Sequence, residues 1–289
     1  MNNRLVIGTA QFGSNYGIHN LTGKVEYNKI KAILNKAYKN GINSLDTAVA
    51  YNKVHKNLGA LGIQKWNIYS KIPSIPKNTK DIDSWLMSTF EKTLNELQVK
   101  SIEGLYFHNP KQLLGKRGEK IYKAVSLLKE ESKIKKIGFS VYSPSELDSL
   151  WSIYKPDIIQ LPYNLFDRRF KDTNWLPKLK KNKVEIHARS IFLQGLVFFN
   201  KKNLPSKFKR YKAVWDEYEE WLFDQKVNQY QGALTFALSN KDISKFVIGI
   251  DNIKQLIQLI NFKVPKIELP EFTSYLDSKL LEPSKWNKL

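Results

Sequence analysis

The chain has no cysteine, which excludes disulfides, thiolate metal sites, iron–sulfur clusters and cysteine nucleophiles. Arginine is scarce, with only six among 47 basic residues. Its planar fork is the preferred donor to phosphates and base edges. The net charge of +20 therefore reads as a lysine-rich solvated surface, with some steering of anionic ligands, and not as a nucleic-acid interface. No apolar run approaches the roughly 18 residues of a membrane span. The opening residues show no charged segment followed by a long apolar one. These absences lead us to expect a soluble cytoplasmic protein without a membrane partner. A glycine-rich phosphate turn is also lacking after the first apolar segment. Gly8-Thr9-Ala10-Gln11-Phe12-Gly13 is neither GxGxxG nor a Walker A loop.

What is present is globular: 289 residues, 42% hydrophobic and 12% aromatic, enough for a substantial core. Short β-branched apolar segments recur at Leu5–Thr9, Ile42–Asp46, Asn67–Lys71, Gly104–His108, Lys136–Ser140, Ile158–Pro162, Val184–Ala188 and Phe246–Ile250. Stretches of helical period separate them. Ile30, Ile33, Leu34, Ala37 and Tyr38 repeat at i, i+3, i+4, i+7 and i+8, with Gly41 as the stop. Ile82 to Leu97 carries the same stripe over four turns. Ser143-Pro144-Ser145-Glu146 reads as a helix start, and Ile253, Leu256, Ile257 and Ile260 form the last stripe.

Alternating strands and helices call for parallel pairing with right-handed crossovers. Eight units in a chain of this length predict a single-domain (β/α)8 barrel over residues 1–289, not an open sheet. The interval between the seventh and eighth strands is about double the others. It predicts a loop and an amphipathic helix around 198–230, carrying Tyr211, Trp215, Tyr218 and Trp221. The aromatics Phe12, Tyr16, Trp66 and Trp215 are read as core.

In such a barrel, reactive side chains gather at the C-terminal strand ends. Asp46 ends the second strand and Tyr51 follows it; Lys71 ends the third and His108 the fourth. A phenol is a poor proton donor at neutral pH, and a neighbouring ammonium lowers its pKa toward the working range. Asp46 would keep a buried Lys71 charged, and His108 would orient a substrate oxygen. Singly, Asp46 is a common helix cap, Lys71 a common snorkelling residue and His108 a common structural histidine. Together and in order at strand ends they read as a tuned acid or base beside a carbonyl or alcohol. His19, His55 and His187 have no metal-ligand spacing, so no metal is expected.

With these residues in place the sequence resembles the aldo-keto reductase superfamily. The likeness rests on Asp46-Thr47-Ala48-x-x-Tyr51, on Lys71 in Ile68-Tyr69-Ser70-Lys71, and on His108 in Leu105-Tyr106-Phe107-His108-Asn109-Pro110. It continues through Gly138-Phe139-Ser140, Ile159 to Arg168 and Arg189 to Gly195, spanning Ile7-Gly8-Thr9 to Val247-Ile248-Gly249. The resemblance implies a barrel that binds NADP(H) or NAD(H) without a Rossmann motif and reduces aldehydes or ketones. It makes Tyr51 the proton donor, Lys71 and Asp46 its tuning pair and His108 the carbonyl orienter. It assigns Ser140 and Gln160 to the nicotinamide carboxamide and sets Gly8, Thr9, Ser190 and Gly249 beside the cofactor. Val141 stands where the family often has Asn. Arg189 stands where an aromatic commonly stacks on the nicotinamide, and a guanidinium can also lie on a ring. The family usually favours NADP(H), with basic groups after the eighth strand. Here Asp251 and Gln255 stand in that segment, which leaves NAD(H) open because a carboxylate repels a 2′-phosphate.

Alternative readings are a catalytically silent dinucleotide-binding scaffold, a basic nucleic-acid-binding barrel, and an isomerase or lyase using Lys71 as a Schiff base. The short chain after the last helix suggests an open pocket, suited to a sugar or sugar derivative. Oligomeric state stays open.

Overall fold

The computed structural model describes residues 1–20, 22–272 and 276–289. Its strands are β1 (Leu5–Gly8), β2 (Ser44–Asp46), β3 (Asn67–Ile72), β4 (Ile102–Phe107), β5 (Ile134–Ser140), β6 (Ile158–Pro162), β7 (Glu185–Arg189) and β8 (Lys245–Gly249). All pair in parallel with their sequence neighbours, and β8 returns to β1 with Leu5 opposite Phe246 and Gly8 opposite Gly249, closing the barrel. The (β/α)8 expectation holds. Strand ends shift by at most two residues, Ile158–Pro162 not at all, and His108 falls just past β4, not within it.

The intervening helices are α1 (Tyr27–Lys39), α2 (Val54–Ala60), α3 (Ile82–Leu97), α4 (Gly118–Glu130), α5 (Pro144–Trp151) and α6 (Trp175–Lys181). After β7 come α7 (Lys212–Asp224) and α8 (Gln229–Ser239), and α9 (Ile253–Ile260) follows β8. Among the described residues no helix is long and apolar enough to cross a membrane. Start and stop signals act where the residue types place them. Ser143 accepts from the Glu146 N–H with Pro144 next to it at the start of α5, and Gly41 follows α1 at φ +79°. In α9 the packed face differs from the expected stripe: Leu256 and Leu259 are buried, whereas Ile253 and Ile257 are exposed. Its five aliphatic residues form one wide stripe, of which contact with α1 covers the Leu256–Leu259 side and leaves the Ile253–Ile257 side exposed.

Of the aromatics read as core, Phe12 and Trp215 are fully buried, and Trp66 lies at the core's edge against Tyr38. Tyr16 is 40% exposed and belongs to the site described below. Helix α7 buries Val214, Trp215, Tyr218 and Leu222. It is tied to the loop after β7 by Trp215 Nε1 donating to Phe199 O (2.9 Å) and by Tyr218 Oη donating to Val197 O (3.2 Å).

The main core lies between the barrel's outer face and the helices. Inside the barrel, Tyr69, Tyr106 and Ile158 form a separate cluster. Gly104 and Gly138 make room for it, since a Cβ at Gly104 would stand 2.7 Å from Ile158 and 2.8 Å from Tyr69. Beneath it runs an unbroken polar chain. Tyr106 Oη bonds His187 Nδ1 (2.8 Å), and His187 Nε2 bonds Glu185 Oε1 (2.7 Å). Glu185 Oε2 accepts from Lys136 Nζ (2.7 Å), which also reaches Glu103 (3.1 Å). Every buried polar group is paired here, the condition under which buried charge is tolerated. Burial pushes the Glu185 carboxyl up, but His187 and Lys136 outweigh it and hold it at about 2.

A carboxylate held below its ordinary value near 4.5 contributes stability at higher pH and loses it as pH falls toward 2. We expect Glu185→Gln to cost about 2 kcal/mol at pH 7 and to flatten the stability profile between about pH 4.5 and 2. Urea denaturation of both proteins across that range is the check; parallel profiles would refute it.

Candidate active site

Four strands and one loop build the reacting end. Asp46 closes β2, Lys71 is the penultimate residue of β3, and Gln160 sits mid-β6 in register with Ser140, the last residue of β5. The loop after β2 continues to pair with β3, as Thr47 N donates to Tyr69 O (2.9 Å) and Val49 N to Lys71 O (3.2 Å). Tyr51 N then closes a turn on Ala48 O (3.0 Å). That extension brings the Tyr51 ring back over the strand ends, with its centroid 5.6 Å from Lys71 Nζ.

Lys71 is buried and its ammonium donates to Asp46 Oδ1 (2.5 Å) and Thr47 O (3.2 Å). Asp46 Oδ2 accepts from Gln160 Nε2 (2.6 Å), and Gln160 Oε1 accepts from Ser140 Oγ (3.4 Å). The carboxylate is thus gripped on both oxygens. Burial still lowers the Lys71 pKa, with Asp46 opposing the shift.

The expected lowering of the Tyr51 pKa is corrected. Burial raises it well above 10, and Asp46 raises it further; Arg189 is the group that opposes them. The ammonium and carboxylate lie 2.5 Å apart, so the field of one largely cancels that of the other at the phenol. His108 stands edge-on to Tyr51, ring centroids 6.3 Å apart. Burial, assisted by the Lys71 charge, pushes its pKa down to about 4, so the imidazole is neutral at physiological pH.

Two depressions meet at this point. A cavity of about 350 Å³ is lined by Asp46, Tyr51 and Gln160, and also by the remaining sequence-derived candidates Gly8, Thr9, Arg189, Ser190, Gly249, Asp251 and Gln255. Ser140 does not line it: its hydroxyl stands behind Gln160, because the two side chains share one hydrogen bond. Gln160's own N–H group is committed to Asp46. His108 opens instead onto a second cleft of about 390 Å³, with Ser74, Asn109, Lys111, Tyr142 and Glu146. Arg189 lies on a ring, but the ring is Tyr142 (4.3 Å to the centroid), and its Nη2 donates to Val141 O (3.0 Å). Asp251 and Gln255 bond to each other at the start of α9.

Several lining residues escaped the sequence reading. Tyr16, in the loop after β1, accepts from Gln194 Nε2 (3.1 Å), and Ile18 N donates to Gln194 O (2.9 Å). These bonds clasp the loops after β1 and β7 over the cavity. Gly195 at φ +91° allows the close approach, since a Cβ there would stand 2.6 Å from His19 Cβ. Loop residues carry no periodicity, and only the glycine at Gly195 hinted at special backbone. Tyr230, on α8, also lines the cavity.

The pattern of the family described as Aldo/keto reductase family matches residues 4–275. An uncharacterized oxidoreductase of Bacillus subtilis (strain 168), YqkF, is 24% identical over 281 residues, covering 86% of this chain and 87% of that protein. The fold is similar to that of the aldo-keto reductase AKR11C1 from Bacillus halodurans, in its holo form, at TM-score 0.69 and 19% identity, over 89% and 85% of the two chains. The PA4992 protein of Pseudomonas aeruginosa, a candidate aldo-keto reductase, superposes at TM-score 0.65 and 19% identity, over 89% and 88%.

Removing one member of a buried ion pair strands the other. Asp46→Asn should cost about 3 kcal/mol, and Asp46→Asn combined with Lys71→Met should recover most of it. Chemical denaturation of the two variants decides; equal losses in both would show that the pair carries no coupling.

Proposed function

Because the chain belongs to the aldo/keto reductase family, we propose that it interconverts an aldehyde or ketone and its alcohol with NAD(P)(H), using Tyr51 as the proton donor. The observation that carries this is the convergence of Tyr51, His108 and the Lys71–Asp46 pair at the junction of two depressions. One depression suits a long cofactor and the other a substrate.

The cavity lined by Tyr51 fits a dinucleotide in one respect. Two buried polar atoms of its lining, Tyr230 Oη and Asp251 Oδ1, have no hydrogen-bond partner among the described residues, so a polar ligand would satisfy them. The residues that would hold the nicotinamide end are Gln160, Ser190 and Arg189. When bound, the nicotinamide supplies or accepts a hydride.

The chain's own groups handle the proton. The raised pKa of Tyr51 keeps the phenol protonated, the state needed to give its proton to a carbonyl oxygen during reduction. The charge of the phenolate left behind is favoured by the Arg189 guanidinium, while the Lys71 ammonium, 5.6 Å from the ring centroid, is offset by its own carboxylate partner. Neutral His108 offers one N–H donor to the same oxygen, which fixes the carbonyl's direction without adding charge. Gln160 and Thr47 hold the ion pair in place behind the phenol. The cleft at His108 carries the Ser74 and Asn109 pair (3.1 Å) and the Lys111 ammonium. They favour a hydroxylated carbonyl substrate such as a sugar or sugar derivative over a small apolar aldehyde.

Tyr51→Phe is expected to lower turnover by at least about 10²-fold with dinucleotide affinity unchanged. Steady-state kinetics alongside cofactor titration tests this. Retained turnover removes Tyr51 from its role, and tight binding without turnover in the unaltered protein would favour a silent scaffold. The pH–rate profile should show no limb near 6.5 that disappears in His108→Gln, since His108 already lies near 4.

A further inference from the structure

We propose that the chain selects NAD(H) over NADP(H), and that Asp251 is the selecting residue. This rests on the reading of the cavity lined by Tyr51 and Asp251 as a dinucleotide site.

The cavity has two chemically distinct ends. One lies at the barrel mouth, with Tyr51, Asp46, Gln160 and Arg189. From there it passes over the end of β8 and reaches α9 outside the barrel, where Asp251, Gln255, Gln258 and Leu259 line it. A dinucleotide whose reactive ring lies beside Tyr51 has its adenosine half at the α9 end. The charge there is negative. Arg189 is the only lysine or arginine lining the cavity among the described residues, and it sits at the reacting end, stacked on Tyr142. Lys254, in the first turn of α9, is exposed and outside the lining. His19 is the other titratable group facing Asp251.

The carboxylate is fixed. Gln255 Oε1 accepts from the Asp251 N–H (2.8 Å), and Gln255 Nε2 donates to Asp251 Oδ2 (3.4 Å). Gln255 N is in turn capped by Asn252 Oδ1 (3.0 Å), so that first-turn donor is not free for a phosphate. Asp251 makes no ion pair with a lysine or arginine among the described residues, and its Oδ1 is buried without a partner. A ribose 2′-hydroxyl has the proton that such an acceptor lacks, and a carboxylate is the group that reads this hydroxyl in other dinucleotide sites. A 2′-phosphate has no proton to give and brings negative charge toward negative charge. The same side chain therefore favours one nucleotide and penalises the other.

Calorimetric titration with NADH and NADPH in parallel, at pH 8 so that free histidines are neutral, tests the proposal on binding alone. NADH should bind at least tenfold more tightly. Asp251→Asn, which keeps the shape and removes the charge, should shrink that ratio at least fivefold, mainly by tightening NADPH. Asp251→Ser provides the same reading if the amide disturbs the turn. Equal or tighter binding of NADPH by the unaltered protein overturns the selectivity, as does an unchanged ratio in both variants. Binding of neither nucleotide would overturn the dinucleotide site itself and the selectivity with it.

Discussion

A lysine ammonium buried inside a barrel is tolerated only if a carboxylate reaches it, and the Lys71–Asp46 contact at 2.5 Å is the constraint around which the site is arranged. It joins β3 to β2 across the mouth. Gln160 from β6 takes the second carboxylate oxygen, so three strands are locked at one charged centre. The neighbouring Tyr51 then experiences the pair nearly as a dipole, not as a free ammonium. That explains why burial, with help from Asp46, governs the phenol, and why it rests in its protonated form.

The barrel interior is organised in layers that isolate this centre. Above the floor, Tyr69, Tyr106 and Ile158 fill the space opened by Gly104 and Gly138. Below them, the chain from Tyr106 through His187 and Glu185 to Lys136 is hydrogen-bonded from end to end. The aromatic layer separates two sets of buried charge. Each set is neutralised locally, so neither depends on the other for its partner.

Outside the barrel, specificity belongs to loops. The residues after β1 and β7 meet across the cavity lined by Tyr51 through Tyr16, Ile18 and Gln194. Arg189 is turned toward Tyr142 and Val141, on the side where the second cleft begins. The aldo/keto reductase frame thus presents a glycine-lined cavity on one side of Tyr51 and a polar cleft on the other.

The sequence by itself determined the barrel, because strand segments buried on both faces alternate with 3.6-residue stripes and only one closed parallel arrangement of eight units accommodates them. It also determined which chemistry-bearing residues stand at the strand ends, since Asp46, Lys71 and His108 stand out as polar groups after apolar runs. Tertiary structure alone decided how those groups share charge. Hydrogen bonds between strands far apart in sequence commit Gln160 to Asp46, place Ser140 behind it, and reverse the expected shift of the Tyr51 phenol. It also decided the packed face of α9 and the clasp over the cavity. An apolar stripe wider than one contact does not say which of its edges a neighbour covers, and loops have no period from which their meeting can be read.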